Sequence, residues 1–146
     1  MTECDTILKK EKITEREFEL FLLDNINIVS KNCHWGKITR IERQCSMAFN
    51  DGAIRCDIML WHEDGTGTCI EVKMGHNNRN DDLMGLGQLL FYGLCIEKRL
   101  TNKPRLVLVC PNIKNSLWDI IKAYNLPICL LELTDDKCIY LSNGTR

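Results

Sequence analysis

Two carboxylates and an ammonium stand where core residues are expected. Asp57 opens the apolar stretch IRCDIMLW, and Glu71 and Lys73 sit in TCIEVKM, with the turn-like HEDGTG between the two segments. In an extended strand, side chains alternate between faces, so Glu71 and Lys73 share one and Ile70, Val72 and Met74 take the other. A hairpin centred near Asp64–Gly65 brings Asp57 within about one residue of opposite Glu71. Adjacent carboxylates repel unless a cation lies between them. Hard oxygen donors suit Mg²⁺ or Mn²⁺, which bind through one or two carboxylates, waters and a substrate phosphate. Such an ion activates water and stabilises a leaving oxygen, and Lys73 either orients the attacking water or offsets charge on a pentavalent phosphorane. The chemistry implied is metal-assisted phosphodiester hydrolysis. The competing reading makes Asp57 a strand-edge residue and Glu71–Lys73 a solvated same-face pair.

These residues need elements to hold them. ITEREFELFLLDNI (13–26) has Phe18, Phe21, Leu22 and Ile26 at helical spacing, and Thr14 with Glu17 forms a capping box. Residues 37–49 alternate weakly and suit an edge strand. Ala53–Trp61 and Thr68–Met74 form the hairpin, and GHNNRNDD is a loop. Leu83–Lys98 is helical, with Gln88 and Tyr92 in one i, i+4 row. RLVLVC (105–110) reads as a buried parallel strand. A helix over Ser116–Tyr124, capped by Asn115 or Asn112, precedes strands ICLLEL (128–133) and CIYLS (138–142). The order implies a mixed sheet with helices on its faces.

The combination resembles the PD-(D/E)xK nuclease superfamily: Asp57 in IRCD, the Glu71-Val72-Lys73 triplet in CIEVK, and then a helix carrying GQLLFY. Gln88 and Tyr92 are similar to the Q-x-x-x-Y element of its RecB-like branches. TEREFELFL is similar to the first helix of Holliday-junction-resolvase-like relatives, which carries an extra acidic ligand. In that register Glu15 is the matching position, ahead of Glu17 and Glu19. The resemblance implies a restriction-endonuclease-like αβββαβ core and one domain over residues 1–146. It implies a metal set of Asp57, Glu71, Glu15 and the Val72 carbonyl, with Lys73 and Gln88 completing the catalytic group. The implied partners are DNA, with RNA not excluded, and a second copy in a homodimer. A Cys rather than a Pro precedes Asp57. A catalytically silent relative, acting as a nucleic-acid-binding or protein-interaction module, is the alternative.

Further residues border such a site. Tyr92 either bonds a substrate phosphate or packs with a satisfied hydroxyl. Arg79, in the loop after Lys73, suits a phosphate contact, whereas His76 reads as a bystander. KNCHWGKITRIER (31–43) offers Trp35 and Lys37 for stacking and phosphate contact. The opposing reading, slightly favoured, is a charged edge strand with Trp35 in the core.

Composition bounds the rest. The 146 residues carry 19 basic and 20 acidic side chains, for a net charge of −1, which argues against nucleic-acid binding by bulk charge alone. MTECDTILKKEK contains no apolar signal-peptide core, and no segment approaches a membrane span. Nine cysteines in no CxxC pair read as buried free thiols of a reducing compartment, the cytoplasm (a host cytoplasm if the gene is viral). A zinc or iron–sulfur site through Cys33-His34 is the lesser reading.

Overall fold

The computed structural model describes residues 13–49, 52–74, 79–100 and 102–143. Helix α1 (Glu15–Asp24) starts at the expected capping box: the Glu17 amide donates to Thr14 Oγ1 at 3.1 Å, and the Thr14 amide donates to Glu17 Oε1 at 3.2 Å. Asn25 ends it, its side-chain amide donating to the Phe21 carbonyl at 2.9 Å. The chain then turns into α2 (Ile26–Asn32), a second helix that the sequence pattern, read as one helix ending at Ile26, did not predict. Its Ile26 and Val29 continue the apolar face of Phe18, Phe21 and Leu22.

Strands β1 (Ile38–Phe49), β2 (Gly52–His62) and β3 (Gly67–Val72) follow, then α3 (Arg79–Ile96) with a 3₁₀ turn (Glu97–Arg99). Strand β4 (Arg105–Cys110), helix α4 (Asn115–Ala123), β5 (Cys129–Leu133) and β6 (Cys138–Leu141) complete the chain. Helix α3 starts earlier than its apolar pattern, because Asp81 and Asp82 favour the positive end of the helix and form its first turn. Helix α4 has neither expected asparagine as cap: Lys114 stands at the N-cap without a side-chain capping bond, its ammonium lying 3.3 Å from Asp82 Oδ2. Glu132 on β5 takes up the nearby donor instead, accepting from the Ile113 amide at 2.8 Å.

The six strands lie in chain order, antiparallel from β1 to β3, parallel from β3 to β5, and antiparallel again at β6. Alternation sorts the strands into two cores. Ile58, Leu60, Ile70, Val72, Val107 and Val109 pack under α1 and α2. Met59, Cys69, Leu106 and Leu108 pack under α3 and α4, with Leu89, Tyr92 and Ile121. Trp35 lies in the first core, 1% exposed and edge-on to Tyr140, so it is not available for base stacking. The eight cysteines among the described residues are free thiols, six of them buried. Among those residues no helix is long and apolar enough to cross a membrane.

Candidate active site

The hairpin register is the one the turn dictates. Ile58 pairs with Ile70 in the last rung of the β2–β3 ladder, so Asp57 and Glu71 fall opposite each other one position beyond it. There the ladder stops. The Val72 amide, two residues past Ile70, donates to Asp57 Oδ2 at 2.9 Å rather than to a strand carbonyl. One carboxylate oxygen of Asp57 therefore finishes the sheet.

Both strands of the β1–β2 pair change phase at this rung. Cys45 pairs with Cys56 and Arg43 with Ile58, spacings at which each strand should repeat one face. Instead Cys45 and Cys56 point into the α3 core, whereas Ile58 points into the α1 core and Arg43 meets Glu19 of α1. The residues between, Gln44 and Asp57, absorb the shift. Gln44 has φ +50°, a left-handed conformation that costs a non-glycine residue of order 1 kcal/mol. As a result Arg43 and Gln44, although consecutive, both line the same cleft.

Glu71 and Lys73 point to the α3 side and are 3% and 8% exposed. The buried Tyr92 hydroxyl lies 2.9 Å from Glu71 Oε1 and 2.7 Å from the Arg55 carbonyl oxygen. Lys73 Nζ lies 3.5 Å from Glu71 Oε2 and 3.7 Å from Asp81 Oδ1. Its backbone amide donates to the Val109 carbonyl at 3.0 Å, which ties the strand end to β4. Close approach of α3 depends on Gly85: a Cβ there would sit 2.8 Å from Leu108 Cδ1 and 3.2 Å from Lys73 Cγ. Gln88, one turn before Tyr92, buries an Oε1 that has no hydrogen-bond partner among the described residues. An unpaired buried acceptor costs about 1–3 kcal/mol, so its retention calls for a reason.

The charges follow from this packing. Burial, and then the neighbouring Asp57, push the Glu71 carboxyl up to about 7 against the pull of Tyr92 and Lys73. Burial also raises Glu15; Lys73 opposes the rise, while Asp57, Asp81 and Glu19 add to it. Burial works against the Lys73 ammonium, but Glu71, Asp81, Glu15 and Asp57 outweigh it and hold its pKa above the ordinary lysine value. Lys73 thus stays charged at neutral pH.

Above Asp57 opens a cleft of about 360 Å³ bounded by Glu15 and Glu19 of α1 and by Val72. Glu19 is buried and its Oε2 holds Arg43 at 3.1 Å, while Glu17 is committed to the capping box. Among the described residues, no three carboxylate, imidazole or thiol side chains converge closely enough to hold an ion. Asp57 and Glu71 with the Val72 carbonyl instead offer an all-oxygen set of the size Mg²⁺ uses when waters and substrate fill its remaining positions.

The structure gathers Asp57, Glu71, Val72 and Lys73, sets Gln88 on the α3 face that also carries Asp81 and Tyr92, and places Glu15 at the cleft. It does not gather the rest. Tyr92 is fully buried and committed to Glu71 and Arg55, which removes it as a phosphate contact. Lys37 pairs with Glu63 at 3.7 Å beside the far end of β2, five residues or roughly 17 Å of strand from Asp57. Trp35 is in the core. Arg79 opens α3, but its side chain, like His76, lies outside the described residues. Sequence reasoning missed Asp81, whose signal was an acidic pair opening the helix after Lys73. It also missed Arg55, two positions before Asp57.

No protein-family profile and no curated protein sequence matches the chain. Solved structures do. A repair endonuclease from Pyrococcus abyssi aligns with TM-score 0.58 at 15% identity, over 86% of this chain and 49% of its own. The EndoMS–dsDNA complex aligns with TM-score 0.55 at 19% identity, over 85% of this chain and 47% of its own. This chain therefore spans about half the length of those two proteins. An XisH family protein from Nostoc punctiforme aligns with TM-score 0.56 at 13% identity, over 82% of this chain and 97% of its own. The mixed six-stranded sheet between helical layers is the restriction-endonuclease-like fold.

Proposed function

We propose that this restriction-endonuclease-like domain is a metal-dependent nuclease that hydrolyses DNA phosphodiester bonds. We read it as an endonuclease with structure-dependent or weak sequence specificity. The observation that carries the reading is the meeting of Asp57, Glu71 and Lys73 at the end of β3, with one group fixed on each: the Val72 amide, Tyr92 and Asp81. Asp57, Glu71 and the Val72 carbonyl would hold Mg²⁺ or Mn²⁺, with Glu15 adding negative charge from the cleft wall. Such an ion, when bound, polarises the phosphate and lowers the pKa of its water.

The chain's own residues do the remainder. Tyr92 keeps the Glu71 carboxylate in one orientation. Asp81 holds the Lys73 ammonium beside Glu71, where its charge offsets the negative charge that grows on the phosphoryl oxygens. Gln88 Oε1 would accept a hydrogen bond from the attacking water, which gives that unpartnered oxygen a purpose. Free, mostly buried cysteines suit a cytoplasmic location. A homodimer is the assembly we expect.

The test is incubation with plasmid, single-stranded, branched and RNA substrates in Mg²⁺, Mn²⁺ or EDTA, beside Asp57→Asn and Lys73→Ala. Metal-dependent cutting by the wild type and at least a hundredfold loss in each variant is the expected result. Cutting that survives Asp57→Asn points to a contaminant. Binding without cutting on every substrate favours the silent, nucleic-acid-binding alternative.

A further inference from the structure

Three arginines line the cleft over Asp57, from three of the elements that wall it: Arg16 of α1, Arg43 of β1 and Arg55 of β2. The fold gives them little structural work. Arg16 sits in the first turn of α1, where the helix dipole disfavours a cation. Neither Arg16 nor Arg55 makes a side-chain ion pair with any described residue. Arg43 is aimed by the buried Glu19 yet keeps 42% of its side chain exposed. The left-handed turn at Gln44 brings a second donor beside it, at a cost in strain. A cleft of about 360 Å³ takes a nucleotide-sized unit and not a duplex.

From this convergence we propose that Arg16, Arg43 and Arg55 grip the non-reacting phosphates of one nucleic-acid strand, on either side of the phosphate presented to Asp57 and Glu71. The assignment rests on the nuclease reading of the site and supplies what Trp35, Lys37 and Tyr92 do not. Guanidinium forks match phosphate oxygens two at a time. A chain of net charge −1 needs such a local clamp, since its bulk charge attracts no polyanion.

Fluorescence anisotropy tests this with labelled single-stranded and duplex oligonucleotides in EDTA, between about 50 and 200 mM salt. Arg16→Ala, Arg43→Ala and Arg55→Ala should each weaken single-strand binding roughly tenfold. Each should lower the slope of log K against log salt by about 0.7. Lys137→Ala, which removes the same charge from the exposed β5–β6 turn, should leave the slope unchanged. Thermal melts confirm that each variant folds. Arginine variants that bind with the wild-type affinity and slope overturn the clamp and leave the nuclease reading standing. Arginine-dependent binding by a protein that cuts nothing supports the clamp and sinks the nuclease reading. A wild type that binds neither strand form overturns the clamp, and the cleavage assay alone then decides the nuclease reading.

Discussion

At the scale of single residues, the site works against the stability of the fold that carries it. Glu71 titrates near 7 because it is buried beside Asp57, so the folded state holds its proton more tightly than the unfolded chain does. Below about pH 4.5 the group is protonated in both states and costs nothing. As pH rises through 7 the unfolded chain has already released its proton, and the metal-free fold loses up to roughly 3 kcal/mol. Glu15 shifts in the same direction, and the raised Lys73 loses its proton only at alkaline pH, outside this window. In EDTA, then, melting temperature should fall between pH 5 and pH 8, and Mg²⁺ should restore it at pH 8. Glu71→Gln should flatten the EDTA profile and abolish both cleavage and the Mg²⁺ response, as followed by circular dichroism. A profile as steep in Glu71→Gln as in the wild type would remove Glu71 from this account. Asp57 and Glu71 were legible in the sequence because a hairpin fixes register and register fixes neighbours. Tyr92 was left between a phosphate contact and a packed, satisfied hydroxyl, because a hydroxyl on a helix does not announce its acceptor; the structure takes the second. Arg43, Gln44 and Arg55 were not legible as a group, since strict alternation assigns Gln44 to the opposite face.

At the scale of elements, helix α3 does two jobs that its glycines separate. Gly85 lets it lie against Leu108 and the stem of Lys73, whereas a Cβ on Gly87 would meet nothing within 4 Å. Gly85→Ala should therefore cost about 1–3 kcal/mol in urea unfolding and lower cleavage by displacing Lys73. Gly87→Ala should add roughly 0.5–1 kcal/mol with activity unchanged, because it only restricts the unfolded chain. Equal effects at the two positions would mean that α3 does not seat on Lys73 as described. The strand and helix order could be read from periodicity and turn residues, and β1 falls at the sheet edge as its weak alternation suggests. The break at Asn25 was hidden by an apolar stripe that continues across it. The α4 cap was misassigned because the helix starts at Asn115 itself, which leaves Lys114 at the N-cap.

At the scale of the whole molecule, the outer face of α3 is the conspicuous surface. Leu83, Met84, Leu90, Phe91 and Leu94 are 40–66% exposed, and no charged residue occurs from Leu83 to Ile96. Together they show on the order of 500 Å² of apolar surface, near the upper end for a monomer. Two copies packed face to face would bury about 1,000 Å², the lower bound for a specific interface. Sedimentation velocity at high micromolar concentration should find a dimer for the wild type and a monomer for Leu94→Glu, with the fold retained. A monomeric wild type would exclude this face as the contact. The phase change at Gln44 and Asp57 has a different reach. The sheet separates two apolar clusters that share no buried residue among those described, and Asp57 stands where the strands exchange faces, so its carboxylate belongs to neither layer. Glu15 and Glu19 approach it from one side, Glu71 and Lys73 from the other. Whatever neutralises that cluster would act as a rivet through the sheet, making the two layers melt as a single unit.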